Sequence, residues 1–319
     1  LASDIDVSVI IPTVGRPELE RAIRSVRAQD ADVTVQVVVV NDSLDEQALT
    51  GLDTDVALWT GGRRRGGYAR NVGVAASAGR YVAFLDDDDE WLPSKLRLQL
   101  KTLESIGDPR LYVVSGRHAH VKHTGSSPSK AGPARLIAPN EPIDEYLFRN
   151  RQPNVRRSSM YTSTLMCPRE LALRVPWRED LPRHQDWDWL VRLGESGDVA
   201  FIQVPEVVVR IQTGSSQSIS ASSDWQSSLS WARQALRDDR VFVDFAAAQT
   251  LRYALNARSS RGVKEVLSSI WKRRRLPGVG PIAIGLIGLV PRRWLELAMT
   301  RGKEGRSPRV RQTPGPALR

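Results

Sequence analysis

The chain has 319 residues and a formal net charge of +10, which is length enough for one large domain with an appended region. Ordinary apolar and charged content excludes disorder throughout. A single cysteine, Cys167, excludes an internal disulfide and suits a reducing compartment, and with only four histidines it argues against a structural zinc site.

In chain order, VSVIIPT (7–13) predicts a buried strand that ends at Pro12 and Thr13. Pro17 suits a first helical turn, and Leu19, Ala22, Ile23 and Val26 follow at helical spacing. VTVQVVVVNDS (33–43) predicts a second strand running into Asn41, Asp42 and Ser43. A Gly-rich basic loop, Gly61 to Gly67, precedes a helix expected over 69–78. VAFLDDDDEW (82–91) then reads as a strand buried on both faces that delivers four aspartates at its C-terminal end, where open α/β sheets place ligands. A helix near Pro93 and a strand at 111–116 follow, and a Ser-, Pro- and Gly-rich loop at 122–140 is expected near the site. Apolar order returns at 158–171, 187–195 and 199–211, and helices are expected at 224–238, 241–258 and 262–275 after a linker at 214–223. Strands alternating with helices predict an α/β domain with a mostly parallel sheet over 1–213, a helical region over 214–300 and a basic, disordered tail over 301–319.

Three acidic positions carry the chemistry. Asp42, after a buried strand, could accept a hydrogen bond from a nucleobase imide, or simply cap a turn. The Asp86–Asp89 cluster repels itself unless a cation intervenes, and oxygen-only ligands suit Mg²⁺ or Mn²⁺ bridging to phosphates. A solvated acidic turn is the alternative. Asp186, among tryptophans at the start of a helical pattern, could be a general base, with Asp188 as its competitor.

The order of these elements resembles the inverting family-2 glycosyltransferases of the GT-A fold. VSVIIPTVGRPELERAIRSVRAQ is similar to the family's opening strand and helix, with Pro12, Thr13 and Arg16 matching; VVVVNDS is similar to its V-D-D-G-S element, with Asn41 in place of the first Asp. GGYARNVGVAASAGRYVAFLDDDDEW carries Arg70 and Asn71 of the A-R-N element and Asp86-Asp87-Asp88 of the D-x-D motif, and HQDWDWLVRL resembles the later E-D motif with Gln185 for the Glu. The resemblance covers residues 5–215. It implies a nucleoside-diphosphate sugar held by Pro12, Thr13, Arg16, Asp42, Arg70, Asn71 and Asp87. It also implies a divalent metal on Asp86 and Asp88, Asp186 as the base, and Asp89 as structural. At a reference pKa near ~4, Asp186 would need no tuning to act at neutral pH. A metal-assisting His is absent from VVVRIQTGSS, where Arg210 and Gln212 stand and Arg210 could meet the diphosphate. Trp91 is expected to pack beneath the acidic loop, and one of Trp187 and Trp189 to be core. Arg63, Arg64 and Arg65 are expected to be solvated rather than to meet phosphates.

Residues 258–319 hold fifteen Lys or Arg against three Glu, so the basic character belongs to the C-terminus. Within it, PGVGPIAIGLIGLVP (277–291) is shorter than the ~20 residues of a spanning helix. Basic flanks favour peripheral contact with an anionic membrane, and a hairpin buried on the catalytic domain is the alternative. The acidic opening LASDIDVSVII is unlike a secretory signal, so a cytoplasmic enzyme at the inner membrane face is expected. Its acceptor would be a glycan, a lipid-linked sugar or a small molecule. A sugar-nucleotide nucleotidyltransferase and a nucleic-acid binder using the tail are the rivals. PTVGRPE makes a poor phosphate loop for the first, and the tail interleaves no aromatics for the second.

Overall fold

The computed structural model describes residues 5–106, 111–122, 128–149, 158–213 and 223–290. Eight strands form one sheet: β1 (Val7–Thr13), β2 (Val35–Asn41), β3 (Val56–Trp59), β4 (Tyr81–Phe84), β5 (Glu90–Trp91), β6 (Tyr112–Val121), β7 (Met166–Pro168) and β8 (Ala200–Gln212). Their order is β3-β2-β1-β4-β7-β6-β8-β5. Strands β3, β2, β1 and β4 run parallel, with Val7 beside Val35 and Tyr81. Strand β7 pairs antiparallel to both β4 and β6, and β8 runs parallel to β6.

The unbroken apolar runs follow from burial on both faces. In β1, Val7, Val9 and Ile11 join one core while Ile10 joins the other, and β2 divides Val37 and Val39 from Val38 and Val40 in the same way. Side chains alternate along a strand, so a run lacking polar residues feeds two cores at once. On one face lie α1 (Leu19–Arg27) and α3 (Lys95–Glu104), packing Leu19, Ile23, Val26, Leu96 and Leu103. The other face is covered by α2 (Arg65–Ala76), α4 (Ile143–Phe148), α5 (Arg169–Arg174) and α6 (Gln185–Glu195), with Trp189, Leu190 and Leu193 from α6. Helix α2 begins four residues before the expected start, so part of the Gly-rich loop is its first turn. Strand β3 was not anticipated; its four residues alternate exposed and half-buried positions at the sheet edge, too short a pattern to stand out.

The C-terminal helices are α7 (Trp225–Ala235), α8 (Asp239–Phe245), a π turn at 246–250, α9 (Leu251–Asn256), α10 (Ser260–Lys272) and α11 (Val279–Leu286). They form a third core that includes Phe148, Leu181 and Val191 from the sheet-bearing part, so the helical region shares its packing with α4 and α6. Within the apolar segment, α11 and a 3-10 turn at 287–289 lie on α9 and the π turn. A Cβ at Gly285 would stand 2.1 Å from the Ala247 carbonyl oxygen, so only glycine permits this approach. One face is therefore buried, by a helix and against the helical region rather than by a hairpin against the catalytic domain. The other is open: Val279 is 76% and Leu289 64% exposed. No helix among the described residues is long and apolar enough to cross a membrane. The tail at 301–319 lies outside the described residues.

Candidate active site

The C-terminal ends of β1, β2 and β4 open into one cleft lined by Pro12, Thr13, Arg16, Asp42, Arg70 and the four aspartates. Parallel strands deliver their last residues to the same edge, so residues far apart in sequence become neighbours here. Thr13 Oγ1 donates to Asp87 at 2.7 Å and accepts from the Gly15 amide at 3.0 Å. Arg16 bridges Asp87 and Asp88, at 2.9 Å to each.

The four aspartates alternate in exposure. Side chains of Asp86 and Asp88 are 38% and 22% exposed, whereas Asp87 is 6% exposed. Asp89 is buried and accepts from Ser163 Oγ and from the Gln212 amide. Asp89 is thus structural, as expected. Ser163, in a 3-10 turn at 162–164, also accepts from the Asp86 amide and so fixes the loop from below. Trp91 packs there as anticipated, its Nε1 donating to the Ser163 carbonyl at 2.9 Å. Burial, with Asp86 and Asp87 adding repulsion against the opposing pull of Arg16, pushes Asp88 up to about 6. Asp87 is also raised, by burial, despite its bonds to Thr13 and Arg16.

Arg70 joins this cleft to a second cavity. Its guanidinium donates to Asp86 at 2.6 Å and to Gln185 Oε1 at 3.1 Å, while lying over the Trp177 ring. Gln185 opens α6, one residue before Asp186. Just before it, His184 adopts left-handed backbone (φ 60°), a conformation that is costly for a residue with a Cβ and is concentrated at functional sites. At the start of α2, a Cβ at Gly66 would come within 2.8 Å of Arg70 and 3.0 Å of Gln185. Glycine there leaves the Arg70–Gln185 contact room.

Asp186 faces a cavity of about 580 Å³ lined also by His118, His120, Tyr161, Arg183, Trp187, Arg252 and Tyr253. Burial raises its carboxyl to about 6, against the pull of the Trp187 amide and Arg70. Burial thus holds this carboxyl above the reference value of ~4 that the sequence reading assumed, while leaving it mostly ionised at neutral pH. Asp188 is placed quite differently. It is 1% exposed, ion-paired to Arg192 at 2.8 Å, and accepts from Trp231 Nε1 at 3.0 Å. That makes it a buried structural group and removes it as a rival base. Trp189 is core, stacked on Trp177, whereas Trp187 reaches the cavity.

Other expected contacts are not brought to the cleft as anticipated. Asn71 is absent from its lining; its amide holds the segment after α5, donating to the Trp177 carbonyl and Glu179 and accepting from the Trp177 amide. The Asp42 carboxylate accepts from the Arg64 and Arg65 amides at 2.8 and 2.7 Å and from Thr60, the capping arrangement that competed with base recognition. The Asp87 carboxylate is likewise occupied by Thr13 and Arg16. Arg210 pairs with Glu90 across β8 and β5, and Gln212 lines the cleft instead. Arg63, Arg64 and Arg65 are exposed and absent from the cleft lining, as the solvated reading required. Among the described residues no group of three or more His, Cys, Asp or Glu side chains is placed to hold a metal.

Sequence reasoning did not single out the cavity residues His118, His120, Arg183, Arg252 and Tyr253. They come from three separate segments, and nothing local marks them.

A mostly parallel sheet of this order, with carboxylates at its C-terminal edge and helices on both faces, has the GT-A arrangement. Residues 8–164 match the family model described as glycosyl transferase family 2. The amylovoran biosynthesis glycosyltransferase AmsB of Erwinia amylovora is 31% identical over 207 residues, covering 61% of this chain and 65% of the relative. The Escherichia coli UDP-Glc:alpha-D-GlcNAc-diphosphoundecaprenol beta-1,3-glucosyltransferase WfgD is 31% identical over 105 residues, 31% of this chain and 42% of its own. S. aureus TarS 1–349 in complex with UDP-GlcNAc superposes with a TM-score of 0.60 at 16% identity, covering 84% of this chain and 81% of that one. Residues 8–164 therefore form a domain of the glycosyl transferase family 2 type. The match spans somewhat under two thirds of AmsB and less of WfgD.

Proposed function

We propose that this chain transfers a sugar from a nucleoside-diphosphate sugar to an acceptor hydroxyl, with inversion, in polysaccharide or cell-envelope glycan synthesis. Glycosylated metabolites are the remaining acceptor class. The observation that carries the reading is the Asp86–Arg70–Gln185 chain, which sets the phosphate-side acids and Asp186 on either side of one arginine. The base of the nucleotide would lie against Pro12, Thr13 and Asp42, with the diphosphate toward Arg16 and Arg70. Asp42 Oδ1 already accepts from Thr60 and Arg64 and Oδ2 from Arg65, so one Oδ2 lone pair remains for an imide N–H.

Asp86 and Asp88 fit a divalent cation in chemistry. They are the two exposed carboxylates, each balanced only by an arginine, and hard cations of the Mg²⁺ type bind one or two carboxylates together with substrate phosphates. Such an ion would neutralise charge on the departing diphosphate. Arg16 and Arg70 supply positive charge at the same place from the chain itself. Asp186 accepts the proton of the acceptor hydroxyl as that oxygen bonds to the anomeric carbon. The bond from that carbon to the diphosphate breaks, and the diphosphate leaves with the electron pair. One displacement inverts the configuration.

Membrane contact is part of the same reading. Trp271 is 83%, Leu276 91% and Val279 76% exposed beside Lys272, Arg273, Arg274 and Arg275, an apolar and basic combination suited to an anionic interface. A lipid-linked acceptor would be met there.

Thermal shift with UDP-, dTDP- and GDP-sugars, each with Mn²⁺ and with chelator, tests the proposal. UDP-sugars come first because the TarS complex holds one. Stabilisation by a sugar nucleotide, weakened in Asp88→Asn, is expected. Stabilisation by polynucleotide alone would sink the reading.

A further inference from the structure

The cavity beside Asp186 is unlike a neutral-sugar site in its charge. Three cationic side chains, Lys130, Arg183 and Arg252, line it, and Asp186 is the sole carboxylate among the lining residues. Both arginines lie over one aromatic ring: the Arg183 guanidinium carbon is 4.2 Å and that of Arg252 5.2 Å from the Tyr253 centroid. Each ring contact is favourable by itself. Two guanidinium groups at one ring repel each other; Asp224 lies beside Arg183, and an anion beside Arg252 would relieve the rest.

How each arginine is held supports a purpose beyond packing. Arg183 donates to the Asp224 carbonyl at 2.7 Å, and Arg252 donates to Gln249 Oε1 at 2.6 Å. Gln249 is neutral, so it orients the Arg252 fork without cancelling its charge, whereas Arg183 shares its field with the Asp224 carboxylate. The Nε of Arg252 is buried with no hydrogen-bond partner.

A second observation is independent of these charges. His118 is only 3% exposed, lines the same cavity and has a buried Nδ1 with no partner; the Nδ1 of His120 is likewise unpartnered. The two imidazoles and Tyr161 meet edge to face, at 5.0 Å between the imidazoles and 4.6 Å from His118 to the tyrosine. A buried polar atom left unpaired is costly, and the wall of a cavity is where a ligand can pair it. Burial and the neighbouring imidazole keep His118 neutral, so it can meet hydroxyls as donor or acceptor.

The geometry points to an acceptor that carries a fixed negative group, a phosphate ester or a carboxylate, bound by Arg252 with Arg183 and Lys130 while its hydroxyl reaches Asp186. The neutral wall of His118, His120 and Tyr161 meets the sugar ring. Resting on the transferase reading, this assigns the acceptor class that the reading leaves open.

The experiment uses the full chain saturated with UDP and follows tryptophan fluorescence on titration with methyl glucoside, methyl glucuronide and glucose 6-phosphate. Trp187, on the cavity wall, supplies the signal. At least one anionic probe is expected to bind about tenfold tighter than the neutral glycoside, the increment of a charge-assisted hydrogen bond. Preference for the phosphate or for the carboxylate identifies the source of the charge. Arg252→Gln should remove that preference and Arg252→Lys restore part of it. UDP binding, read on the same samples, reports the donor site and the fold of each variant. Equal binding of charged and neutral probes, no binding of either anion, or an unchanged preference in Arg252→Gln would overturn the inference while UDP still binds. Failure to bind UDP or any sugar nucleotide would instead count against the transferase reading.

Discussion

Replacing Asp186 with Asn should abolish transfer and at the same time make the protein more stable. Asn keeps the shape and the acceptor for the Trp187 amide, which bonds to Asp186 Oδ1 at 2.9 Å, but it has no charge to desolvate. Burial raises the Asp186 carboxyl from 3.8 to about 6, equivalent to about 3 kcal/mol against the ionised form. Asp186 is only half-buried on the cavity wall, so solvent screening reduces the figure to about 1–2 kcal/mol. The sign follows from linkage. Between pH 4 and 6 the folded state holds a proton that the unfolded state has lost, so stability falls as pH rises through this window, and the full cost is present above it. Asp186→Asn should therefore melt a few degrees higher at pH 7.5, with the gain fading toward pH 4. Turnover should drop by about 10²–10⁴, and the wild-type rate should rise with pH to a plateau above about 6. Calorimetry at the two pH values, with nucleotide release as the activity assay, checks both halves. Near-normal turnover would misplace the base, and destabilisation at pH 7.5 would mean that the carboxylate is a satisfied structural group. Asp188→Ala is the contrast: it leaves Trp231 Nε1 unpaired in the interior, takes the carboxylate from the half-exposed Arg192, and should cost about 1–3 kcal/mol.

Asn71→Ala should lower stability by about 1–3 kcal/mol, through the lost bonds to residues 177 and 179, while the donor KM stays within about twofold; a large rise in KM would restore Asn71 to the donor site. Trp271→Ser, at a position 83% exposed, should leave melting unchanged yet weaken flotation with anionic vesicles by about tenfold. Equal partitioning of the two proteins would remove the membrane contact. Point substitution is the proper test, because α10 contributes Val266 and Ile270 to the third core and truncating it would unfold that region.

The sequence by itself determined the strand-rich half and the identity of the acid-bearing segments. Two-sided burial leaves unbroken apolar runs, and each run ends on the polar residues that reach the cleft. That is why Thr13, Asp42 and Asp86–Asp89 were legible. The alternation of more open Asp86 and Asp88 with inward Asp87 and Asp89 was not, because it arises in the turn after β4 from long-range partners of Asp87 and Asp89. Only the tertiary structure decided which carboxylates were free to act. Asp186 and Asp188 sit two residues apart with similar neighbours in sequence, yet one faces a cavity and the other is enclosed by Arg192 and Trp231. Asn71 and Arg210 match or neighbour motif positions, and long-range partners at 177–179 and Glu90 hold them instead. The cavity around Asp186 draws on β6, the turn before α6 and the helices after it, and no local pattern records an assembly that forms only when those segments pack.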